Sequence, residues 1–287
     1  MIRLREKIAE TIFAVSAIVC GLITVVIFGF MILPGIPLFR EGHFLKLLTG
    51  AWIPHHGSYG IYPMIMGTLY ISLLSIFIAF PLSVGCASLI SILAPSGFGS
   101  FLRKIIQLMT GIPTVIYGFV GVFLLVPFVR ELFDNGTGMC ILSASLMLTM
   151  LISPTMILFF SDSFDQVPQS YLKVVDSLGG TKVQKLIYVV LPYAWRGLLT
   201  GFILGLGRAL GDTMIALMIA GNAVRIPTSL LDSARTLTSH IALVFAADYE
   251  SLEFKSIYAC GLLLYLFTSI VVIIVRSLGS MGKEKNQ

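Results

Sequence analysis

The chain is 287 residues long, with 57% of its residues hydrophobic, only 11% charged and a mean hydropathy of +0.96. Soluble domains run at about 45–50% apolar and about 25% charged, so a water-soluble enzyme of one or two domains is excluded. The net charge of +5, from 19 Lys and Arg against 14 Asp and Glu, is then a topology signal before it is any footprint for nucleic acid, which is not expected as a partner.

A helix needs about 20 mainly apolar residues to cross the hydrocarbon core. Six segments reach that length: 11–33, 64–93, 105–129, 139–161, 194–220 and 256–275. The expected fold class is all-α, a polytopic membrane protein with six transmembrane helices. Arg3, Arg5 and Lys7 precede the first segment as in a signal peptide. Its apolar run is too long for one, and Pro34-Gly35-Ile36-Pro37 offers no small-x-small cleavage site. Six spans put both termini on one side. Counting Lys and Arg by alternate loops gives 12 on the side of the termini and 6 opposite, with Arg208 left inside a span. The positive-inside rule makes the termini cytoplasmic.

In chain order, residues 1–63 form a first span and an outer loop whose Trp52, Tyr59 and Tyr62 suit an interfacial aromatic belt. The main permease region is 64–276, and 277–287 is a cytoplasmic tail. Prolines mark the inner spans at Pro81, Pro113, Pro127 and Pro154. Gly111, Ile112 and Pro113 are expected to interrupt the third span, and Pro154 the fourth. A half-helix starting near Pro113 or Thr114 would aim N–H groups and a positive dipole end inward, suiting an anion; kinks made for packing are the other reading.

The loop 162–192 reads as helix, turn, helix. Pro168 can open the first helix, Leu172, Val175 and Leu178 make one apolar face, and Gly179-Gly180 stop it. Thr181 and Gln184 form a capping box for the second helix, which carries Val183, Leu186, Ile187 and Val190. Either two helices lie on the inner leaflet, with Lys173, Lys182 and Lys185 on lipid phosphates, or the loop is a knob that inserts into a cytoplasmic partner.

The fifth span contains GLGRALGDTMIALMIAGN, residues 205–222. It is expected to set Arg208 and Asp212 four residues apart on one helical face near mid-membrane. A charge at the bilayer centre costs about 2.5–3.5 kcal/mol even on the lenient insertion scale. The pair either neutralises itself or serves an anion in transit, with Asp212 competing for the guanidinium; Arg before Asp is the weaker order for an i, i+4 pair. Gly201, Gly205, Gly207 and Gly211 are expected to let a neighbouring helix approach closely. The outer loop 221–255 holds an apolar stretch, 237–247, too short to span, which either packs on the outer surface or re-enters.

Cys20, Cys86, Cys140 and Cys260 lie singly in or beside apolar segments and read as small core hydrophobes. His43, His55, His56 and His240 all fall in outer loops, with no metal-ligand spacing. No phosphate-cradling G-x-x-x-x-G-K-[ST], H-E-x-x-H or G-x-S-x-G occurs. No catalysis, cofactor or metal is expected of this chain, and no internal repeat is visible.

The pattern Gly179, nine residues, Val189, one residue, Leu191-Pro192 resembles the cytoplasmic coupling loop of ABC importer permeases, with Lys173-Val174-Val175 where that family usually has Glu-Ala-Ala. The strings GIYPMIMGTLYISLL (60–74), TGIPTVIYGFVGVFLLVP (110–127) and LGRALGDTMIALMIAGN (206–222) are similar to the PstC-type permease of the phosphate ABC importer, with Asp212 in place of its usual Glu. The resemblance covers about residues 60–276. It implies a type-1 ABC importer permease fold in the cytoplasmic (inner) membrane, and a translocation path built from Arg208, Asp212, Thr213 and Thr114. It further implies ATPase coupling through Asp176, Gly179, Gly180, Thr181, Leu191 and Pro192. The implied partners are a homologous PstA-type permease, an ATP-binding cassette ATPase dimer that hydrolyses the ATP, an extracytoplasmic phosphate-binding protein and the lipid bilayer. From the residues alone, a stand-alone ion-coupled carrier or anion channel, or an ABC permease for another oxyanion, stays open.

Overall fold

The computed structural model describes residues 2–32, 47–54, 57–134, 136–249 and 251–284. Outer-loop residues 33–46, with His43, the His55-His56 pair and residues 285–287 of the tail lie outside them. The architecture is helical, apart from a two-stranded antiparallel ribbon, β1 (Trp52–Ile53) and β2 (Ser58–Tyr59), in the outer loop. Five helices are long and apolar enough to cross a membrane, and a bent sixth completes the set.

Helix α1 (Ile2–Ile32) has no buried residue over 6–32, as expected of a span with lipid on most sides. It leans on the last helix, α13 (Leu252–Glu284, which gives the Leu252–Ile274 crossing), through Phe28 on Tyr265, with ring centroids 4.8 Å apart. At the centre are α2 (Tyr62–Ser88) and α6 (Ile141–Asp165), the latter the most enclosed span. Their contact is a ladder with a constant offset of 70 residues. Ser75 Oγ donates to the Ser145 carbonyl (3.1 Å), Ser83 Oγ to Ser153 (3.5 Å) and Ser91 Oγ to Ser161 (3.4 Å). A constant offset means the two helices run parallel, and hydroxyls between close backbones hold helices together where no hydrophobic force separates helix from lipid.

This ladder accounts for one correction. Pro154 does not break its span: α6 runs through it unbroken, with the Ser153 and Ser161 rungs on either side, and Pro81 likewise lies inside α2. Three other prolines, Pro95, Pro127 and Pro192, each follow by two residues a π-helical segment, Leu89–Leu93, Gly121–Leu125 and Leu186–Val190 respectively. The ring of a helical proline collides with the carbonyl four residues back. For Pro127 and Pro192, whose helices continue directly from the π segment, that residue is the middle one of the segment and the wider turn moves its carbonyl aside, whereas Pro95 is extended (ψ 147°) and stands outside any helix.

The third span is also corrected. Residues 105–110 belong to a separate amphipathic helix, α3 (Ser96–Thr110), whose Arg103 pairs with Asp165 at the end of α6. After Gly111, Ile112 and Pro113 the crossing begins with α4 (Thr114–Val120) and continues through the π segment into α5 (Val126–Phe133). The expected break at Gly111 and Pro113 is therefore present and marks the start of the span.

Trp52 is likewise no lipid-facing belt residue. It is buried against His240, ring centroids 4.4 Å apart, in a small outer cluster with Leu237 and Cys260. Of the cysteines, Cys140 and Cys260 are buried, Cys86 is half-buried and Cys20 is exposed.

Candidate translocation path and coupling loop

The fifth crossing starts as α10 (Trp195–Gly211) and packs tightly on α6. A Cβ added at Gly201 would meet Phe160 at 2.5 Å, and one at Gly205 would meet Met156 Sδ at 2.6 Å. Gly207 and Gly211 face open space, so only half of the glycine stripe serves close packing.

The helix ends at Gly211. Asp212 is extended (φ −70°, ψ 131°), and a new half-helix, α11 (Met214–Ile219), follows Thr213. Arg208 and Asp212 therefore do not share one helical face, and among the described residues no ion pair joins them. Asp212 Oδ2 instead accepts from the Ile215 N–H (2.9 Å), one of the donors a helix start leaves unpaired. The Asp212 carbonyl accepts from Thr238 Oγ1 (2.7 Å). Arg208 Nη1 donates to Thr155 Oγ1 at 2.8 Å and is half-buried.

Thr238 belongs to α12 (Leu237–Val244), the apolar stretch of the outer loop, and α12 reaches back into the bundle beside the break. Its capping box, Thr236 with Ser239, and the Leu237 N–H bonded to Thr68 Oγ1 of α2 (2.9 Å) fix it there. His240 is fully buried in α12, with Nε2 3.0 Å from Ser256 Oγ.

The two helix breaks meet. Tyr117 O–H donates to the Met109 carbonyl across the 111–113 break (3.2 Å). Next along α4, Gly118 lies against Met218 of α11 and Gly121 against Ile219, where a Cβ would come within 2.5 and 2.2 Å of those side chains. Gly118 and Met218 are each four residues past the start of their half-helices, so Thr114 and Met214 begin at the same level. The hydroxyls of Thr114 and Thr213, both half-buried, make no hydrogen bond among the described residues.

On the face where α6 ends, the loop 162–192 forms the expected helix–turn–helix, although 162–165 still belong to α6. It comprises α7 (Gln169–Ser177), α8 (Lys182–Lys185), a π segment and α9 (Leu191–Tyr193). Gly179 takes φ +75°, a conformation L side chains rarely adopt, and the Thr181–Gln184 capping box is complete. Asp176 pairs with Lys185 across the turn, which clamps the two helices. Leu172, Leu186, Val189 and Leu191 pack on the core while Leu178 is 82% and Tyr188 75% exposed. Lys182 Nζ donates to the Leu93 carbonyl at the end of the second span (3.1 Å), tying loop to bundle.

In the outer loop, Thr228 and Ser229 backbone N–H groups and the Thr228 hydroxyl donate to Asp232 Oδ2 (2.8–3.0 Å). These bonds, led by that of Thr228, hold its carboxyl below the usual range.

Thr155 and Thr238, the partners of Arg208 and Asp212, went unnoticed in the sequence. The signal for Thr155 was its place directly after Pro154; Thr238 had none, because it comes from the other side of the outer loop.

Five membrane-length helices and a bent sixth, the latter broken beside a half-buried arginine, with an exposed apolar helix–turn–helix at one end, define a polytopic membrane protein. The model of the binding-protein-dependent transport system inner membrane component matches residues 79–280, and the chain belongs to that family. It is 33% identical over 83% of its length to a probable ABC transporter permease protein, YqgH, of Bacillus subtilis, covering 79% of that protein. It is 34% identical to the phosphate transport system permease protein PstC of Pasteurella multocida (79% of this chain, 77% of the relative). To the probable PstC of Methanocaldococcus jannaschii it is 30% identical over 95% of this chain and 93% of the relative. Among solved structures it superposes on the MetNI methionine ABC transporter in an inward-facing form (TM-score 0.59, 18% identity, 76% of this chain and 95% of that one). It also superposes on a bacterial ABC transporter for the import of alginate (TM-score 0.59, 14% identity, 89% and 95%). The fold is that of a type-1 ABC importer permease.

Proposed function

We propose that this chain is a permease subunit of an ATP-driven importer of inorganic phosphate. It forms the path with a homologous PstA-type permease, receives phosphate from an extracytoplasmic binding protein, and is driven by a separate ATPase dimer that hydrolyses the ATP. The phosphate transport names of relatives 30–34% identical over most of the chain support the substrate. The observation that carries the site is Arg208. Its potential counter-ion, Asp212, is committed to the α11 N–H, so Arg208 keeps donors for an oxyanion. Thr213 and Thr114, with unused hydroxyls at the same level, complete the ring, and the 64–276 region is the functional unit.

The loop 162–192 is the ATPase contact. Gly179 and Gly180 make the turn, Asp176 and Thr181 brace it, and Leu191-Pro192 lead into the fifth crossing. The 12-to-6 excess of Lys and Arg supports a cytoplasmic side for this loop and both termini.

The test is reconstitution of the complete assembly, with and without the ATPase. Phosphate uptake should require ATP; uptake that persists without ATP and collapses with the proton gradient overturns the reading. Arg208→Met should assemble normally and lose roughly tenfold to a hundredfold in uptake, the scale of one lost charged hydrogen bond. Normal uptake would make Arg208 an element of helix packing alone.

A further inference from the structure

Apart from Arg208, the half-buried cation most firmly mounted near the path is Arg235, which lies between β-bridge residue Ala234 and capping residue Thr236. Its surroundings leave its backbone no freedom. The Ala234 N–H bonds the Ala220 carbonyl (2.9 Å), Thr236 opens α12, and the Arg235 carbonyl lies so close to α2 that a Cβ at Gly67 would approach it to 2.3 Å. The side chain uses one donor: Nε bonds the carbonyl of Asn222, itself in the left-handed region at φ 57° (3.1 Å). Nη1 and Nη2 have no partner among the described residues. Among the described residues no carboxylate is within ion-pair distance, and Glu253 acts on it only from farther away. Beside it, Asn222 Oδ1 is buried without a donor.

Arg235 is half-buried, yet its Nη atoms are not enclosed, so water reaches them and an anion can take its place; an arginine so fixed with its fork left open asks for a use. Its height supplies one. Ala234 is level with Ala220, and Thr238 is level with Asp212, so Arg235 lies one short half-helix from the broken-helix junction. Eight residues, six of them helical, separate the two levels, about 12 Å at the helical rise. The displacement is toward the outer loops, the side from which the substrate of an importer arrives.

We propose that Arg235 is an outer anion-binding station. Its Nη1 and Nη2 fork takes two oxygens of a tetrahedral oxyanion entering from the outside and passes it inward to Arg208. Two cations a half-helix apart give the anion a second place to rest while the first is being vacated, so that each is weak enough to leave. The fixed backbone aims the fork, and bidentate geometry selects Arg over Lys for that role. The station rests on the importer reading above, and the anion used as probe is inorganic phosphate.

The experiment uses the complete reconstituted transporter with its loaded binding protein, and reads both phosphate uptake and binding-protein-stimulated ATP hydrolysis for wild type, Arg235→Gln and Arg235→Lys. In Arg235→Gln, phosphate delivered per ATP should fall roughly tenfold, the order of one lost charged hydrogen bond, while ATP hydrolysis holds. Arg235→Lys should recover part of the loss. Arg235→Cys, modified from outside by a cationic thiol reagent, should regain delivery and by an anionic one should not, which keeps the test open if the Gln variant assembles poorly. Unchanged delivery per ATP in Arg235→Gln, or an equal fall of uptake and hydrolysis that the cationic reagent does not reverse, overturns the station. Failure of the wild type itself to carry phosphate overturns the substrate reading instead, and the same variants are then measured with the oxyanion it does carry.

Discussion

Pro113 and Pro154 sit in consecutive membrane segments and have opposite consequences. At Pro113 the chain is extended (ψ 142°) and the helix restarts; at Pro154 the helix continues for another eleven residues. Both remove one N–H and both crowd a carbonyl. The difference lies in the neighbours. Pro154 is flanked by rungs that fasten α6 to α2, whereas Pro113 follows Gly111 and Ile112 on a stretch exposed on its outside, with only the Tyr117 O–H reaching across. Within a crossing a neighbouring helix can support the groups a proline frees, as α2 does for Pro154, whereas the break at Pro113 comes where the third crossing begins.

The break at Asp212 carries the contrast further, since it contains no proline at all. Removing its carboxylate should therefore do the most damage. Asp212→Ala leaves the Ile215 N–H unpaired, which costs about 1–2 kcal/mol of stability, and should lower uptake by roughly two orders of magnitude through misplacement of the junction. Asp212→Asn can cap as well as Asp, so it should melt like the wild type; uptake in that variant then reads the charge separately from the cap. A wild-type melting point for Asp212→Ala would show that the break is maintained elsewhere.

Pro113→Ala should have an intermediate effect. It lifts a penalty of about 3 kcal/mol against a helical residue there and lets α3 and α4 approach one continuous rod. Cysteine pairs spanning 109 and 117 should change their cross-linking, and uptake should drop severalfold; unaltered cross-linking would assign the break to Gly111 and Ile112. Pro154→Ala should do least. With the rungs in place, thermal stability in detergent should stay within about 1 kcal/mol of wild type and uptake should be retained. A large loss would mean that Pro154 itself positions Thr155 against Arg208.

These contrasts show which features were legible in the residues. Apolar runs are a composition property, and five of the crossings appeared where hydropathy placed them. The Gly179-Gly180 turn and the Thr181 cap were legible because both are short-range backbone chemistry. The split at Asp212 was not, because an Arg and an Asp four residues apart in an apolar run read as one helical face. Only the arrival of Thr238, 26 residues later, and the use of the carboxylate on Ile215 make that residue a start signal. Trp52 failed for the same reason: its burial against His240 depends on a chain segment nearly 190 residues away. Pro154 was misjudged because its support comes from serines on another helix.

The bond from Lys182 to the Leu93 carbonyl makes the knob and the second span one mechanical member. That member is laced to α6, and α6 carries Thr155, the hydroxyl that holds Arg208. Force applied to the knob by a closing partner would thus travel along a stiff double beam and be felt at the arginine as a shift of its anchor. The non-helical residues Asp212 and Thr213, of which Asp212 is extended, would take up the strain as a flexure.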